Sequence, residues 1–138
     1  MPSLIYNRGL EHFARGQLDF DTNAFKVMLV TSAYTPDKDA HDHRNDVTNE
    51  VVGAGYTSGG VTTSVTVTLD TVNDRVDVTF GAVSWPTATI TARAAVYYRD
   101  RGGAASADEL IAFNEFPSDV TSTGGTFSLA ASTFRIQN

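Results

Sequence analysis

Val61-Thr62-Thr63-Ser64-Val65-Thr66-Val67-Thr68-Leu69, a turn at Asp70-Thr71-Val72-Asn73-Asp74, then Arg75-Val76-Asp77-Val78-Thr79-Phe80: this stretch decides the fold. Successive side chains of an extended strand point to opposite faces. Val61, Thr63, Val65, Val67 and Leu69 therefore share one side, and Thr62, Ser64, Thr66 and Thr68 the other. After the turn, Val76, Val78 and Phe80 resume the inward set against Arg75, Asp77 and Thr79. Two such runs joined by a polar turn predict a hairpin with one buried and one polar face.

The same reading extends in both directions. Phe25 to Thr31 is almost continuously apolar, which predicts a strand inside a sheet. Further strands are expected at Thr87–Tyr98, Glu109–Glu115, Thr126–Ala130 and Thr133–Ile136. Trp85-Pro86, Arg101-Gly102-Gly103, Phe116-Pro117-Ser118 and Gly124-Gly125 are expected to break them. Gly53 to Gly60 reads as a loop, with Gly53-Ala54-Gly55 a tight corner returning Tyr56 over the sheet. Ser3 to Arg15 predicts a short helix: Ser3 can cap it, Leu4, Leu10, Phe13 and Ala14 fall near one face, and Gly16 can end it. At 138 residues the chain fits one domain, residues 1–138, burying roughly 70% of its unfolded surface. The fold class expected is all-β, an antiparallel jelly-roll-like β-sandwich with a short N-terminal helix.

Ten Lys and Arg against sixteen Asp and Glu leave a net charge of −6. A nucleic-acid binder needs the opposite surplus, so no nucleic acid is expected as a partner. No apolar run is helix-length, so no membrane partner is expected. Met1-Pro2-Ser3-Leu4 lacks a basic start followed by an apolar stretch, which predicts synthesis in the cytoplasm. The chain has no cysteine, which excludes disulfides, thiol catalysis and thiolate metal sites.

The polar stretch from Ser32 to Glu50 holds the densest candidate chemistry: Asp37, Asp39, His41, Asp42 and His43. Imidazole and carboxylate suit a divalent metal, but ligands two residues apart need a fixed extended backbone, and His12 is distant in sequence. Calcium lacks its sixth-position glycine and its terminal acidic ligand, because the twelfth position from Asp37 is Thr48. A solvated acidic loop is the stronger reading, with no metal and no cofactor. Gly59-Gly60 precedes a strand and has no nearby Lys, unlike a phosphate cradle. No serine sits between glycines at a strand-to-helix elbow, and Asp108-Glu109 and Asp74/Asp77 read as acids at strand ends. An enzyme is not expected. Most aromatic residues are expected in the core, but Tyr97 and Tyr98 are consecutive, so one should leave it and become available to a neighbouring chain. Tyr6, Tyr34, Pro36, Asp37, His41, His43, Trp85 and Tyr98 form the set of candidate partner contacts.

Asn7-Arg8-Gly9-Leu10-Glu11-His12-Phe13, Lys26-Val27-Met28-Leu29-Val30 and Tyr34-Thr35-Pro36-Asp37 resemble small virion proteins of tailed bacteriophages. The likeness runs on through Asp46-Val47-Thr48, Gly55-Tyr56-Thr57, Asp77-Val78-Thr79-Phe80 and Leu110-Ile111-Ala112-Phe113, in order over most of the chain. Within that group the chain resembles capsid cement, or decoration, proteins of the Bordetella phage kind. The resemblance implies a jelly roll on the outer surface of an HK97-like capsid, bound to the major capsid protein as a homodimer at two-fold positions. It implies no catalytic residues, because the shared motifs are turns and core strands. A neck or tail component is the alternative, and a sugar-binding β module using Trp85 or a tyrosine is a more distant one. The Ser32–Glu50 loop or the N-terminal helix is expected to touch the coat. Deleting Pro36–Arg44 is then expected to weaken capsid binding without unfolding the domain.

Overall fold

The computed structural model describes residues 3–138; Met1 and Pro2, with the start of the leader reading, lie outside them. The chain forms β1 (Leu4–Ile5), α1 (Asn7–Ala14), β2 (Phe25–Val30), β3 (Val61–Thr63), β4 (Val65–Asp70), β5 (Arg75–Phe80), β6 (Val83–Arg99), β7 (Leu110–Leu129) and β8 (Ser132–Gln137). One sheet runs β1-β7-β6-β2-β3 and the other β4-β5-β8, with every pairing antiparallel. The chain is an all-β sandwich with one short helix near its N-terminus.

The hairpin is present as β4 and β5, with Asp70 pairing Arg75 at its mouth. Asp70 stabilises the turn by accepting from the backbone N–H groups of Val72 and Asn73. The Val61–Leu69 alternation is one run in sequence but two strands in space. It breaks at Ser64, with β3 in one sheet and β4 in the other. Phe80 to Val83 and Leu129 to Ser132 cross between the sheets in the same way. Three adjacent strands thus turn one corner, as in sandwiches whose strands switch sheets. The Gly81 N–H donates to the Ser64 carbonyl, and the Thr63 hydroxyl donates to the Gly81 carbonyl, fastening that corner.

Three expected breakers are strand interior. Trp85-Pro86 lies within β6, and Phe116-Pro117-Ser118 and Gly124-Gly125 lie within β7. The register explains how. Ala94 pairs Glu115 and Ala92 pairs Val120, so residues 116–119 bulge opposite Arg93; further shifts flank Ala88. Thr87 takes a positive φ of 52° at one of these irregularities. Proline is tolerated at a bulge, where no ladder hydrogen bond is required of it.

The five-stranded sheet is covered on both faces. Val27, Leu29, Ala95, Tyr97 and Ile111 enter the core between the sheets, with Phe80, Trp85 and Phe134. Met28, Val30, Ala94, Val96, Tyr98, Leu110 and Phe113 form a second core on the opposite face, with Tyr6 and Tyr34. That second core corrects the expectation for Tyr98. It does leave the main core, as alternation requires, but the long segment after β2 folds over it and leaves it 1% exposed.

The helix also differs from its expected form. It begins at Asn7, because Leu4 and Ile5 pair with Phe113 and Ala112 of β7. Its buried residues are Gly9 and His12, while Leu10 and Phe13 stand half out. Gly9 sets this orientation. A Cβ there would lie 2.9 Å from the Leu110 carbonyl oxygen and 3.0 Å from that of Ile111, so only glycine lets the helix lie on β7 this closely. The helix stops at Arg15, followed by Gly16 with φ 76°.

Candidate partner-binding face

Polar side chains gather at the end of the five-stranded sheet. Tyr6 donates to the Tyr34 hydroxyl (2.9 Å), which donates to His41 Nδ1 (2.9 Å). The Asp37 N–H points at the same nitrogen (3.2 Å), which must therefore present a lone pair. Burial, reinforced by the bond to Tyr34, pushes the Tyr6 phenol far above its usual range. His12, distant in sequence, lies beside His43 with ring centroids 5.2 Å apart. Its ring nitrogens face Gln17 Oε1 (2.8 Å) and the Asp42 carbonyl (3.3 Å), while His43 Nδ1 faces Asp42 Oδ1 (2.8 Å). Among the described residues, no group of three His, Asp or Glu side chains is placed to hold a metal ion.

The loop is not a free appendage. Its Lys38 carbonyl accepts from the Asn7 N–H and its Asp42 carbonyl from the Leu110 N–H, and the Arg44 N–H donates to the Asp108 carbonyl. Arg44 Nε also reaches Asp108 Oδ2 at 2.8 Å, and that aspartate is fully buried. Arg101 grips Glu109 on the next residue. Burial raises the Glu109 carboxyl, but hydrogen bonds and charge from Arg101 outweigh it and hold the group below the ordinary glutamate range. These bonds make the loop a lid on the second core. A Pro36–Arg44 deletion would remove these anchors, the Arg44–Asp108 pair among them, so its effect on folding is to be measured beside its effect on capsid binding.

Exposure sorts the sequence-derived contact residues into two groups. Asp37 is exposed, and Pro36, His41 and His43 are partly so. Tyr6, Tyr34, Trp85 and Tyr98 are buried within the chain itself, so they are corrected as surface contacts. Trp85 lies between Tyr56 and Phe127. The Tyr56 hydroxyl accepts from the Leu29 N–H and donates to Glu50, so the glycine corner does return Tyr56 over the sheet.

A cluster of exposed apolar side chains lies elsewhere, at the outer end of the three-stranded sheet. Leu69 pairs Val76, which pairs Ile136; one step inward, Val67 pairs Val78, which pairs Phe134. Phe134 of the inner row closes on Phe20 and Phe80, but Val67 and the outer row overhang the core. Leu69 is 71% exposed, Val67 47% and Ile136 40%. Phe13 from α1 meets this row across a groove of about 740 Å³, floored by Leu18, Phe20, Val76 and Val78 and edged by Asp19 and Asp21. Leu10 continues the surface beside Phe13 and Ile136. Sequence reading missed this face because alternation tells which residues share a side and not whether that side is covered. The available signal was Leu10 and Phe13, whose helical stripe was assigned to the core.

The comparisons with known proteins add no relative: no family model, no curated protein and no solved structure matches the chain.

Proposed function

We propose that this chain is a non-enzymatic virion structural protein, a cement or decoration protein. In this role it binds the outer surface of an HK97-like capsid and bridges neighbouring major capsid subunits as a homodimer. The observation that carries the reading is the uncovered apolar groove between Phe13 and the Leu69–Val76–Ile136 row. Contiguous apolar surface of this kind marks a place where another protein sits. Its support is a domain braced by buried ion pairs at one end, so the groove is presented on a stiff body. A shell packed with nucleic acid is under outward pressure, and a clamp repeated over its surface resists subunit separation through many modest contacts. The acidic charge discourages stray binding to nucleic acid.

The test is copy number in purified virions, by quantitative mass spectrometry against the major capsid protein. A dimer at every two-fold contact predicts about one copy per coat subunit. Absence from the particle, or about a dozen copies as at a neck or tail ring, overturns the reading.

A further inference from the structure

The free edge of β4 stands out among the sheet edges. Of the other edges, β1 has two residues and β3 three, too short to template a new strand, and β8 carries Arg135 at its centre. The lengths of β6 and β7 that β2 and β1 leave uncovered are interrupted by register shifts and carry Pro86, Arg93, Glu115, Pro117 and Asp119. Short length and charge are the usual protections of an edge. β4 has neither: Val65-Thr66-Val67-Thr68-Leu69-Asp70 is six residues long and bears its only charge at the last. Among the described residues, no backbone hydrogen bond reaches it from any element except β5 and the adjoining Gly81.

The ladder tells which groups are free. The Gly81 N–H donates to the Ser64 carbonyl, and the Asn138 N–H donates to the Asp74 carbonyl. Hydrogen-bonded pairs alternate along an antiparallel ladder. β5 therefore turns Arg75, Asp77 and Thr79 toward β4, and Val76, Val78 and Phe80 toward β8. On β4, Thr66, Thr68 and Asp70 spend their backbone groups on β5. Val65, Val67 and Leu69 direct theirs outward, unpaired.

We infer that the β4 edge pairs antiparallel with β4 of a second copy about a two-fold axis at Val67, joining the two three-stranded sheets into one six-stranded sheet. This rests on the dimeric part of the cement reading and supplies its surface. The strand is complementary to itself in this register. Val67 meets its own mate and Val65 meets Leu69, so each outward pair exchanges two hydrogen bonds. Thr66 meets Thr68 on the outer face, a favourable cross-strand pair. Asp70 meets Ser64, and the two Asp70 side chains stay about 20 Å apart along the strand, so no like charges oppose. The axis lies perpendicular to the sheet, so both apolar grooves open on the same side. The dimer would then offer a doubled face to one shell.

The test uses purified full-length chain, with sedimentation equilibrium from about 1 to 100 µM, a range that spans micromolar association. Wild type is expected to be a dimer in that range. Val67→Pro removes an outward N–H that β5 does not use, and Leu69→Lys places a charge beside the axis. Each is expected to keep the wild-type near-ultraviolet circular dichroism and to weaken association at least tenfold. A wild-type monomer throughout, or a dimer whose dissociation constant both variants leave unchanged, overturns the pairing. Binding to shells assembled without this protein separates the two readings. Shell binding by a monomer sinks the β4 pairing alone, and a β4 dimer absent from virions sinks the cement reading alone.

Discussion

The two sheets of this molecule share one chain and three corners but are finished differently. The five-stranded sheet is buried on both faces, because the segment between β2 and β3 folds back over its outer side and is pinned there by Arg44 and Asp108. In the three-stranded sheet only Val78 and Phe134 of the inner row are covered, and Val67, Leu69, Val76 and Ile136 project past the core. Both sheets obey the same alternation, so the difference arises from what lies over them. A covered face supplies stability, and an overhanging one supplies surface for a partner.

That contrast breaks most directly at the pin. Arg44→Ala leaves the Asp108 carboxylate fully buried with only the Arg101 N–H, 2.9 Å away, as a polar partner. Removing one member of a buried pair costs about 3–5 kcal/mol. Urea unfolding should show a loss of that size, and amide exchange should rise first along the second core. A loss under about 1 kcal/mol would mean that the loop is held by its apolar contacts instead.

Gly9→Ala probes how the helix edges the groove. Alanine favours a helix over glycine by about 1 kcal/mol, but here its methyl group meets two backbone carbonyls of β7. Overpacking against backbone costs about 1–3 kcal/mol. A net loss on the order of 1–2 kcal/mol is expected, with Phe13 displaced and more dye binding at the groove. A gain in stability would show that α1 can lift from β7 freely.

Acid should act on the covered sheet. Because the folded Glu109 carboxyl is held below its ordinary range, its stabilisation is complete above the unfolded value, about 4.3. It is lost as pH falls through the lower folded value. The Tm is therefore expected to be flat near neutrality and to fall below about pH 4. Glu109→Gln should be less stable at neutral pH and show a shallower acid decline. An acid decline identical to wild type would assign the loss to other carboxylates, such as Asp100, also held low despite its burial by a hydrogen bond from the Gly102 N–H and by Lys26.

How much of this was legible depended on range. The β4–β5 hairpin and the buried β2 could be read because their signals are local: period two, a polar turn, a continuous apolar run. Pro86, Pro117 and Gly124-Gly125 misled because a bulge absorbs such residues, and a bulge is defined by the partner strand. Tyr98 shows the same limit. Alternation placed it correctly on the far face, but its burial depends on Gly59, whose carbonyl accepts from its hydroxyl, and on Arg44 over its ring, residues far from it along the chain. His12 joined His43 by the docking of α1 on β7, which no spacing rule contains.

The smallest expected effect tests the contrast most sharply. Leu69 is an inward residue by pattern and an outward one by exposure, so most of its transfer free energy is unrealised in the single chain. A core leucine replaced by alanine costs about 2–5 kcal/mol. Leu69→Ala should change stability by less than about 0.5 kcal/mol, as surface substitutions do. Its apolar area would be recovered only when a second molecule covers it, since burial contributes roughly 25 cal/mol per Å². The same substitution should therefore leave urea unfolding of the monomer unchanged and still loosen any association made through this face. A loss of core magnitude in the monomer would mean that the overhang is already packed, and the two sheets would then differ in connectivity but not in role.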